Sequence, residues 1–165
     1  MNVTIRKVAP GDENVLARIQ TESWKSAFAH ILDAETLEKC TDPVRATKMY
    51  RHLLEDHVGN GYLLSLDGEP HLFAWWNDSR DEESAGAAEL IAIHSLPENR
   101  RRGYGSAMMD RVLSDVWDAG YREIVLWVFG ANAVARSFYE AFGFAPTGLT
   151  RTVLGAETVC YSKKL

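Results

Sequence analysis

The stretch Arg100–Ser106, with the sequence RRRGYGS, joins two segments of opposite character. Before it, the nearly unbroken apolar run AELIAIHSL at residues 88–96 predicts a buried strand. After it, residues 104–119 carry apolar side chains at helical spacing, which predicts an amphipathic helix that stops at Gly120. The glycines and arginines therefore lie where a strand turns into the first turn of a helix.

This position is suited to binding an anion. The first backbone N–H groups of a helix have no intrahelical partner, and the helix dipole is positive there. Gly103 and Gly105 let the backbone approach an anion closely, and the neighbouring arginines add charge-assisted hydrogen bonds. A phosphate or pyrophosphate is the expected ligand; the alternative is a glycine-rich turn beside a solvated basic cluster. Met108 replaces the third small residue of the dinucleotide fingerprint and no Gly-Lys-Ser/Thr follows, so neither a Rossmann site nor a P-loop is predicted.

Length and composition are those of one ordinary globular domain. The 165 residues are 46% hydrophobic and 25% charged, without a linker or repeat, which predicts a single domain over residues 1–165. The formal net charge of −5 disfavours a general nucleic-acid binder. Cys40 and Cys160 have no metal-ligand spacing, so no metal is expected. Because there is no signal-like apolar core and no run of about 18 apolar residues, we expect a cytoplasmic chain without a membrane partner.

The rest of the chain alternates predicted strands and helices. A hairpin turn at Asp67-Gly68 joins two strands, and Asn132 is placed to cap a short helix. Four helices are expected, with strands between and around them: near residues 12–31, from 42 through Leu53 to a stop at Gly59-Asn60-Gly61, and near residues 104–119 and 132–142. This order predicts an α+β (mixed α/β) fold with a central mixed, mostly antiparallel sheet of six to seven strands flanked by about four helices.

Two motifs resemble those of the GNAT family of N-acetyltransferases. Arg100-x-x-Gly103-x-Gly105 resembles the family's acyl-CoA pyrophosphate loop, Arg/Gln-x-x-Gly-x-Gly/Ala. Residues 132–144, NAVARSFYEAFGF, resemble its Asn-x-x-Ala-x-x-Phe-Tyr-x-x-x-Gly-Phe stretch, at the expected separation from the loop. The resemblance covers residues 88–144 and implies a GNAT-like single domain. It also implies an acetyl-CoA-dependent N-acetyltransferase that moves an acetyl group to a primary amine of a small molecule or peptide by direct attack in a ternary complex.

The same resemblance implies which residues hold acetyl-CoA. They come from the strand before the loop, from the loop and from the second motif: Ile93, His94, Ser95, Arg100, Arg101, Arg102, Gly103, Tyr104, Gly105, Ser106, Asn132 and Tyr139. Asn132 is equally an ordinary helix N-cap, and the two roles are compatible.

Tyr139 and Glu89 are the catalytic residues that the resemblance implies. Acetylation needs a neutral amine, although a free alkylamine has a pKa of about 10.4, and the thiolate leaving group benefits from a nearby acid. Tyr139 matches the tyrosine that the family directs at the CoA sulfur; the alternative is a half-buried helical aromatic. Glu89 matches a glutamate that deprotonates the amine directly or through water. The alternative is a solvated residue at the edge of its strand.

His94 is the rival base, or else a hydrogen-bonded core residue. Simple alternation places Glu89 and His94 on opposite faces of the strand. The family commonly has a bulge in this strand, which makes face assignments beyond it unsafe. A water molecule remains a third possibility for the base.

The acceptor is expected where the first two helices approach the sheet, because that half of the fold varies with substrate in the family. Trp24, Phe28, His30 and Tyr50 are the candidate acceptor-site residues. The acidic loop at residues 78–83 either attracts a cationic amine or is a solvated turn. The alternative function is a non-catalytic acyl-CoA-binding or sensing module of the same fold. A nucleic-acid-binding domain that uses residues 100–102 is a third reading, which the net charge of −5 disfavours. The resemblance also implies a possible homodimer, since dimers are common in the family.

Overall fold

The computed structural model describes residues 1–98 and 102–165, and within them seven strands form one sheet. The strands are β1 Val3–Lys7, β2 Asn60–Leu66, β3 Glu69–Asp78, β4 Ala88–Ser95, β5 Glu123–Phe129, β6 Ala145–Val153 and β7 Ala156–Lys164. The α-helices are α1 Glu13–Ala27, α2 Ala34–Cys40, α3 Pro43–Glu55, α4 Tyr104–Asp118 and α5 Ala133–Ala141. The predicted α+β fold with a mixed sheet is confirmed. Arg100 and Arg101, which the sequence assigns to the cofactor loop, lie outside the described residues.

Helix α2 is the element that the sequence patterns missed. It has seven residues and none of them is buried, so it has no apolar stripe to reveal it. Its start depends on a polar contact, since the Asp33 side chain accepts a hydrogen bond of 2.8 Å from the Thr36 backbone N–H. Helix α1 also ends at Ala27, before the predicted end near residue 31, and the intervening turn leads into α2.

The sheet has the strand order β1-β2-β3-β4-β5-β7-β6. All neighbouring pairs are antiparallel except β4 and β5, which are parallel. These two strands pair only at Ala88 with Ile124 and at Glu89 with Val125, although both continue for several residues. Beyond Glu89 the strands therefore diverge and open a cleft in the middle of the sheet, which we call the β4–β5 cleft.

A bulge in β4 determines which side chains face each side of this cleft. Trp75 of β3 lies opposite Ala92, whereas its neighbour Trp76 lies opposite Leu90, so Ile91 is an extra residue in β4. Before the bulge Glu89 lies opposite Asn77, and beyond it His94 lies opposite Phe73. Residues 73, 75 and 77 share one face of β3, which places Glu89, Ala92 and His94 on one face of β4. The simple alternation that separates Glu89 from His94 is wrong for this strand.

Each face of the sheet has its own core. One core packs α4 against the sheet and contains Trp76, Leu90, Met108 and Val112 among its buried residues. The other packs α1 and α3 against the opposite face and contains Leu16, Tyr50, Phe73, Trp75 and Leu96. Trp75 and Trp76 thus point to opposite faces, as alternation predicts, and both are core residues. Within residues 1–98 and 102–165, no helix has the length and apolar character needed to cross a membrane.

The close approach of Trp75 to β2 predicts a strong effect of Gly61→Ala on stability. A Cβ at Gly61 would lie 2.5 Å from the Trp75 ring and 2.6 Å from a methyl group of Val8. Overpacking of this kind costs about 1–3 kcal/mol of the free energy of unfolding, which urea denaturation would measure. Gly130→Ala is the matched control, because a Cβ there would meet its nearest neighbour at 3.6 Å. Equal stability changes in the two variants would contradict the prediction.

Candidate active site

The predicted anion loop leads directly into α4. Gly103 has a φ of +85°, a backbone conformation that favours glycine, and it is the N-cap residue of the helix. The first intrahelical hydrogen bond runs from the Ala107 N–H to the Gly103 carbonyl at 3.0 Å. The N–H groups of Tyr104, Gly105 and Ser106 precede this bond and so have no intrahelical partner. Arg102 is exposed beside them, and the geometry suits a phosphate or pyrophosphate.

Gly105 has a second role in packing α4 against α5. A Cβ at this position would lie 3.3 Å from the Phe138 ring, so the missing side chain permits the close approach of the two helices. The Tyr104 ring packs edge-on against His71 at 5.7 Å between centroids, and its hydroxyl donates to Met1 Sδ at 3.4 Å. Tyr104 and Gly105 therefore offer backbone groups, not side chains, to a ligand at this loop.

The backbone of Ile93, His94 and Ser95 borders the β4–β5 cleft. On one side these residues pair with Ala74, Phe73 and Leu72 of β3. On the other side they have no partner in β5, whose pairing with β4 ends at Glu89. The cleft edge of β4 thus presents unpaired strand groups that an extended ligand can bind as an additional strand does.

Helix α5 holds Tyr139 on the α4 side of the sheet. The Asn132 side chain accepts a hydrogen bond of 3.2 Å from the Ala135 N–H, so Asn132 is the N-cap of this helix. Arg136 anchors the helix further by donating to the Tyr161 hydroxyl and to the Gly130 carbonyl, both at 2.8 Å. The Tyr139 ring joins the core on that side. Burial raises the pKa of Tyr139 to about 12, so its hydroxyl keeps its proton at neutral pH.

Glu89 is a buried carboxylate held by one arginine. Its residue surface is 1% exposed, and Arg80 donates to it from three groups. The Arg80 backbone N–H and Nε reach Oε1 at 3.1 and 3.2 Å, and a terminal guanidinium nitrogen reaches Oε2 at 2.6 Å. The alternative of a solvated residue at the strand edge is therefore wrong.

The loop that carries Arg80 is docked at a second point by Asp81. One Asp81 oxygen accepts from Trp127 Nε1 at 2.6 Å, and the other accepts from Arg151 at 3.0 Å. The Arg151 guanidinium also lies over the Trp127 ring, 4.0 Å from its centroid. Asp81 is thus a structural part of this site, whereas its neighbours Glu82 and Glu83 are exposed as in a solvated turn.

Sequence patterns did not reveal this network. Asp81 is 46 residues from Trp127 and 70 from Arg151, and Arg80 is nine residues from Glu89. No local motif connects partners at such separations. A usable signal was the arginine inside an otherwise acidic loop directly before a strand with a buried glutamate, since a buried carboxylate needs a cation or hydrogen-bond donors nearby.

His94 is hydrogen-bonded beneath α1. Trp24 Nε1 lies 3.2 Å from Nε2 of His94, and Ser23 Oγ lies 3.4 Å from Nδ1. Because an indole nitrogen can only donate, Nε2 is the acceptor and the ring proton of the neutral imidazole is on Nδ1. Burial lowers the pKa of His94 from 6.5 to about 4, so the ring is neutral at physiological pH. Its basic nitrogen is already used by Trp24, as expected of a satisfied core residue.

The four acceptor-site candidates lie in different surroundings. Trp24 and Phe28 pack together at 4.9 Å between centroids, and Phe28 packs on Phe129 of β5 at 5.0 Å. His30 is exposed beyond the end of α1. Tyr50 is 3% exposed in the core between α1, α3 and the sheet, where its hydroxyl donates to Gln20. The structure therefore brings together Trp24 and Phe28, and not His30 or Tyr50.

The cleft thus has two chemically different sides. Because Glu89 pairs with Val125 in parallel register, β5 presents Val125, Trp127 and Phe129 on the same face as Glu89. That face carries the aromatic residues of α1 and the Arg80–Asp81 loop. The opposite face carries Tyr139 and the open N–H groups of α4. Such a cleft can hold two ligands, one from each face of the sheet. Their reacting ends can then meet between the diverging strands β4 and β5.

The state of His94 predicts a pH dependence of stability. The unfolded chain takes up the histidine proton below about pH 6.5, whereas the folded chain resists it until about pH 4, so the free energy of unfolding falls as the pH drops. Urea denaturation at pH 7 and pH 5 measures how far the free energy of unfolding falls between the two pH values. This fall should be about 1–2 kcal/mol smaller in His94→Gln than in the native protein. His52→Gln, at an exposed histidine of α3, is the control. An unchanged pH dependence in His94→Gln would rule out this contribution.

Two curated proteins are similar to this chain in sequence over most of its length. An uncharacterized N-acetyltransferase of Bacillus subtilis (strain 168) is 24% identical over 142 residues, which are 85% of this chain and 79% of that protein. A probable N-acetyltransferase of Mycobacterium tuberculosis is 24% identical over 152 residues, which are 92% of this chain and 84% of that protein.

The same fold occurs in a crystal structure of the PaiA N-acetyltransferase of Thermoplasma acidophilum in complex with coenzyme A. It matches this structure with a TM-score of 0.83 and 22% identity, covering 100% of both chains. The sequence model of the Acetyltransferase (GNAT) family matches residues 21–144, a span that includes both sides of the cleft and both motifs. The chain therefore belongs to the GNAT family of acetyltransferases.

Proposed function

We propose that this protein is an acetyl-CoA-dependent N-acetyltransferase whose acceptor is a primary amine of a small molecule or peptide. The observation that carries the proposal is the β4–β5 cleft, with open helix N–H groups and Tyr139 on one face and the buried Glu89 on the other. A two-sided cleft of this kind suits direct transfer between two bound substrates without a covalent enzyme intermediate.

The described residues fit acetyl-CoA. The N–H groups of Tyr104, Gly105 and Ser106 would hold the pyrophosphate, and Gly103 adds no side chain that blocks its approach. The unpaired backbone of residues 93–95 would hold the pantetheine arm in strand fashion. Bound there, acetyl-CoA supplies an acetyl thioester. The coenzyme A complex of the Thermoplasma acidophilum protein, which shares the fold, supports this choice of cofactor.

Glu89 is the proposed general base. In the described part of the chain Oε1 accepts two hydrogen bonds and Oε2 accepts one, so Oε2 keeps a lone pair for the amine proton or for a bridging water. His94 is the weaker candidate because Trp24 donates to its only basic nitrogen. Glu89 shares one face of the sheet with Trp127 and Phe129, which supports a base on the proposed acceptor side.

Tyr139 is proposed to stabilise the leaving sulfur. With a pKa of about 12, its hydroxyl is a weaker acid than a thiol, whose pKa is about 8.5. Complete proton transfer to the thiolate would therefore be uphill, whereas a charge-assisted hydrogen bond to it is favourable. The hydroxyl holds its proton throughout the neutral pH range, and its ring lies on the α4 side of the sheet, where the cofactor is proposed to bind.

The acceptor is proposed to lie between α1 and the diverging strands. Trp24 and Phe28 supply aromatic surface, and the charges of Glu89, Arg80, Asp81 and Arg151 balance in pairs. Such a surface suits the apolar part of an amine-bearing molecule and lacks the excess negative charge that a polycation would need. We therefore rank monoamines and peptide amines above polyamines as acceptors.

The decisive experiment is a thiol-release assay with acetyl-CoA and a panel of amines, namely polyamines, aminoglycosides, amino acids and N-terminal peptides. Release that depends on one amine class is the expected result. Tyr139→Phe should lower kcat by about 10²- to 10³-fold because the sulfur loses its hydrogen-bond donor, while acetyl-CoA binding measured calorimetrically stays within about threefold. Tyr121→Phe removes the hydroxyl of a tyrosine that packs on Trp76 and binds Asp78, and is the control.

Unchanged turnover in Tyr139→Phe would exclude its role at the sulfur. Binding of acetyl-CoA without release for any amine would instead favour the alternative of a non-catalytic acyl-CoA-binding module. Failure to bind acetyl-CoA would remove the basis of both functions.

Glu89→Gln tests the base separately. If Glu89 accepts the amine proton, kcat should fall by about 10²- to 10⁴-fold, and the ascending limb of the pH–rate profile should disappear. Thermal unfolding monitored in parallel checks that the variant is folded. A profile that keeps the native ascending limb would assign the base to water or to the amine's own ionisation.

A further inference from the structure

The loop between β3 and β4, residues 79–87, forms the wall of the cleft beside Glu89. It is closed on itself, because the Ser79 N–H donates to the Ala87 carbonyl at 2.9 Å and the hydroxyls of Ser79 and Ser84 lie 2.6 Å apart. The Asp81 N–H also donates to the Ser79 hydroxyl oxygen at 3.2 Å. Arg80 and Asp81 therefore project from a defined backbone and not from a loose turn.

We propose that Arg80 is a positioning residue for the base: it orients the Glu89 carboxylate and balances its buried charge, while the Asp81 contacts hold Arg80 in place. This inference rests on the proposed function of Glu89. Arg80 does not reach the reacting atoms itself but acts through the carboxylate.

The geometry of the pair supports a role in orientation. The guanidinium binds both carboxylate oxygens through Nε and a terminal nitrogen, and the Arg80 backbone N–H adds a third bond. A bidentate contact fixes the plane of the carboxylate as well as its position. Two of the three bonds go to Oε1, which leaves Oε2 as the oxygen with spare acceptor capacity.

Burial explains why the carboxylate needs a cation. Glu89 is 1% exposed, whereas the Arg80 side chain is 60% exposed, so the arginine joins a buried acid to a solvated charge. An isolated buried carboxylate is strongly disfavoured in its charged form and takes up a proton instead. Arg80 supplies the compensating positive charge that this buried acid needs.

The other charged and titratable groups around Glu89 do not replace Arg80. Asp81 is bound to Arg151 and Trp127, which ties up the second cation of the cluster. Cys160 of β7 lies close enough for the charges of Glu89, Asp81 and Arg151 to affect it, and burial chiefly raises the pKa of its thiol. His94 on the same face is neutral. Arg80 is thus the cation directly bonded to Glu89 among the described residues.

The test is the pH–rate profile of Arg80→Gln, with Arg80→Lys as the conservative replacement. Losing an opposite charge at this distance should move the ascending limb up by about one to three pH units. We expect the loss of kcat to be largest at low pH and to shrink at high pH to the loss seen in Arg80→Lys, with an unchanged KM for acetyl-CoA. Arg80→Lys should keep the native midpoint of the ascending limb, because an ammonium restores the charge. Its kcat at pH 7 should lie between those of Arg80→Gln and the native protein, because an ammonium does not restore the bidentate geometry.

Arg18→Gln is the matched control for the loss of an arginine. Arg18 is 58% exposed, much like Arg80, but its partner Glu22 is itself 45% exposed. Arg18→Gln should leave the ascending limb of the pH–rate profile at its native position. In the Glu89→Gln background, Arg80→Gln should cause no further change in the profile. A fall in kcat that is equal at all pH values, or a shift that persists in the double variant, would overturn the proposal.

A second readout does not depend on activity. Carbon-13 labelling of glutamate side chains, with the Glu89 signal assigned through Glu89→Gln, follows the carboxyl titration directly by NMR. The Glu89 signal should titrate at least one pH unit higher in Arg80→Gln than in the native protein. Coincident titrations would refute the role of Arg80 even if an acceptor is never found. A shifted titration in a protein that acetylates no amine would instead count against the proposed function alone.

Discussion

The divergence of β4 and β5 after two paired positions is the constraint on which the rest of the structure depends. Unpaired strand groups inside a sheet are costly unless something satisfies them, so an opening of this kind is stable only where a ligand or water binds. The bulge at Ile91 then turns the strand, so that His94 joins Glu89 on one face. Cleft and bulge together produce two opposed walls. The proposed function assigns the wall with Tyr139 and α4 to the cofactor (the cofactor wall) and the wall with Glu89 and the Arg80–Asp81 loop to the acceptor (the acceptor wall).

The cofactor wall could be predicted from the sequence because its parts are local. A glycine-rich turn before an amphipathic helix is visible in a few consecutive residues, and α4 begins at Tyr104 as the apolar spacing predicts. The N-cap role of Asn132 is local in the same sense and is confirmed. The mixed character of the sheet could be anticipated as well, since hairpins and helical crossovers leave turn signals in the chain.

The acceptor wall could not be predicted in this way, because it depends on contacts between distant segments. The bulge has no sequence signal of its own, since Ile91 is as apolar as its neighbours, and one extra residue reverses the face of everything beyond it. Helix α2 escapes pattern analysis because none of its residues is buried. The pairing of Asp81 with Arg151 and Trp127 joins residues that only the folded sheet brings together.

Burial favours the proposed role of Tyr139 and opposes the proposed role of Glu89. Desolvation favours the neutral form of any acid. For Tyr139 the neutral form is the useful one, since a protonated hydroxyl is what stabilises a departing sulfur, and burial in the α4 core is sufficient. For Glu89 the charged form is the useful one, and burial alone works against it, so this residue needs a partner that Tyr139 does not. The asymmetry accounts for an arginine on the acceptor wall, at the end of a closed loop anchored through Asp81 to β5 and β6.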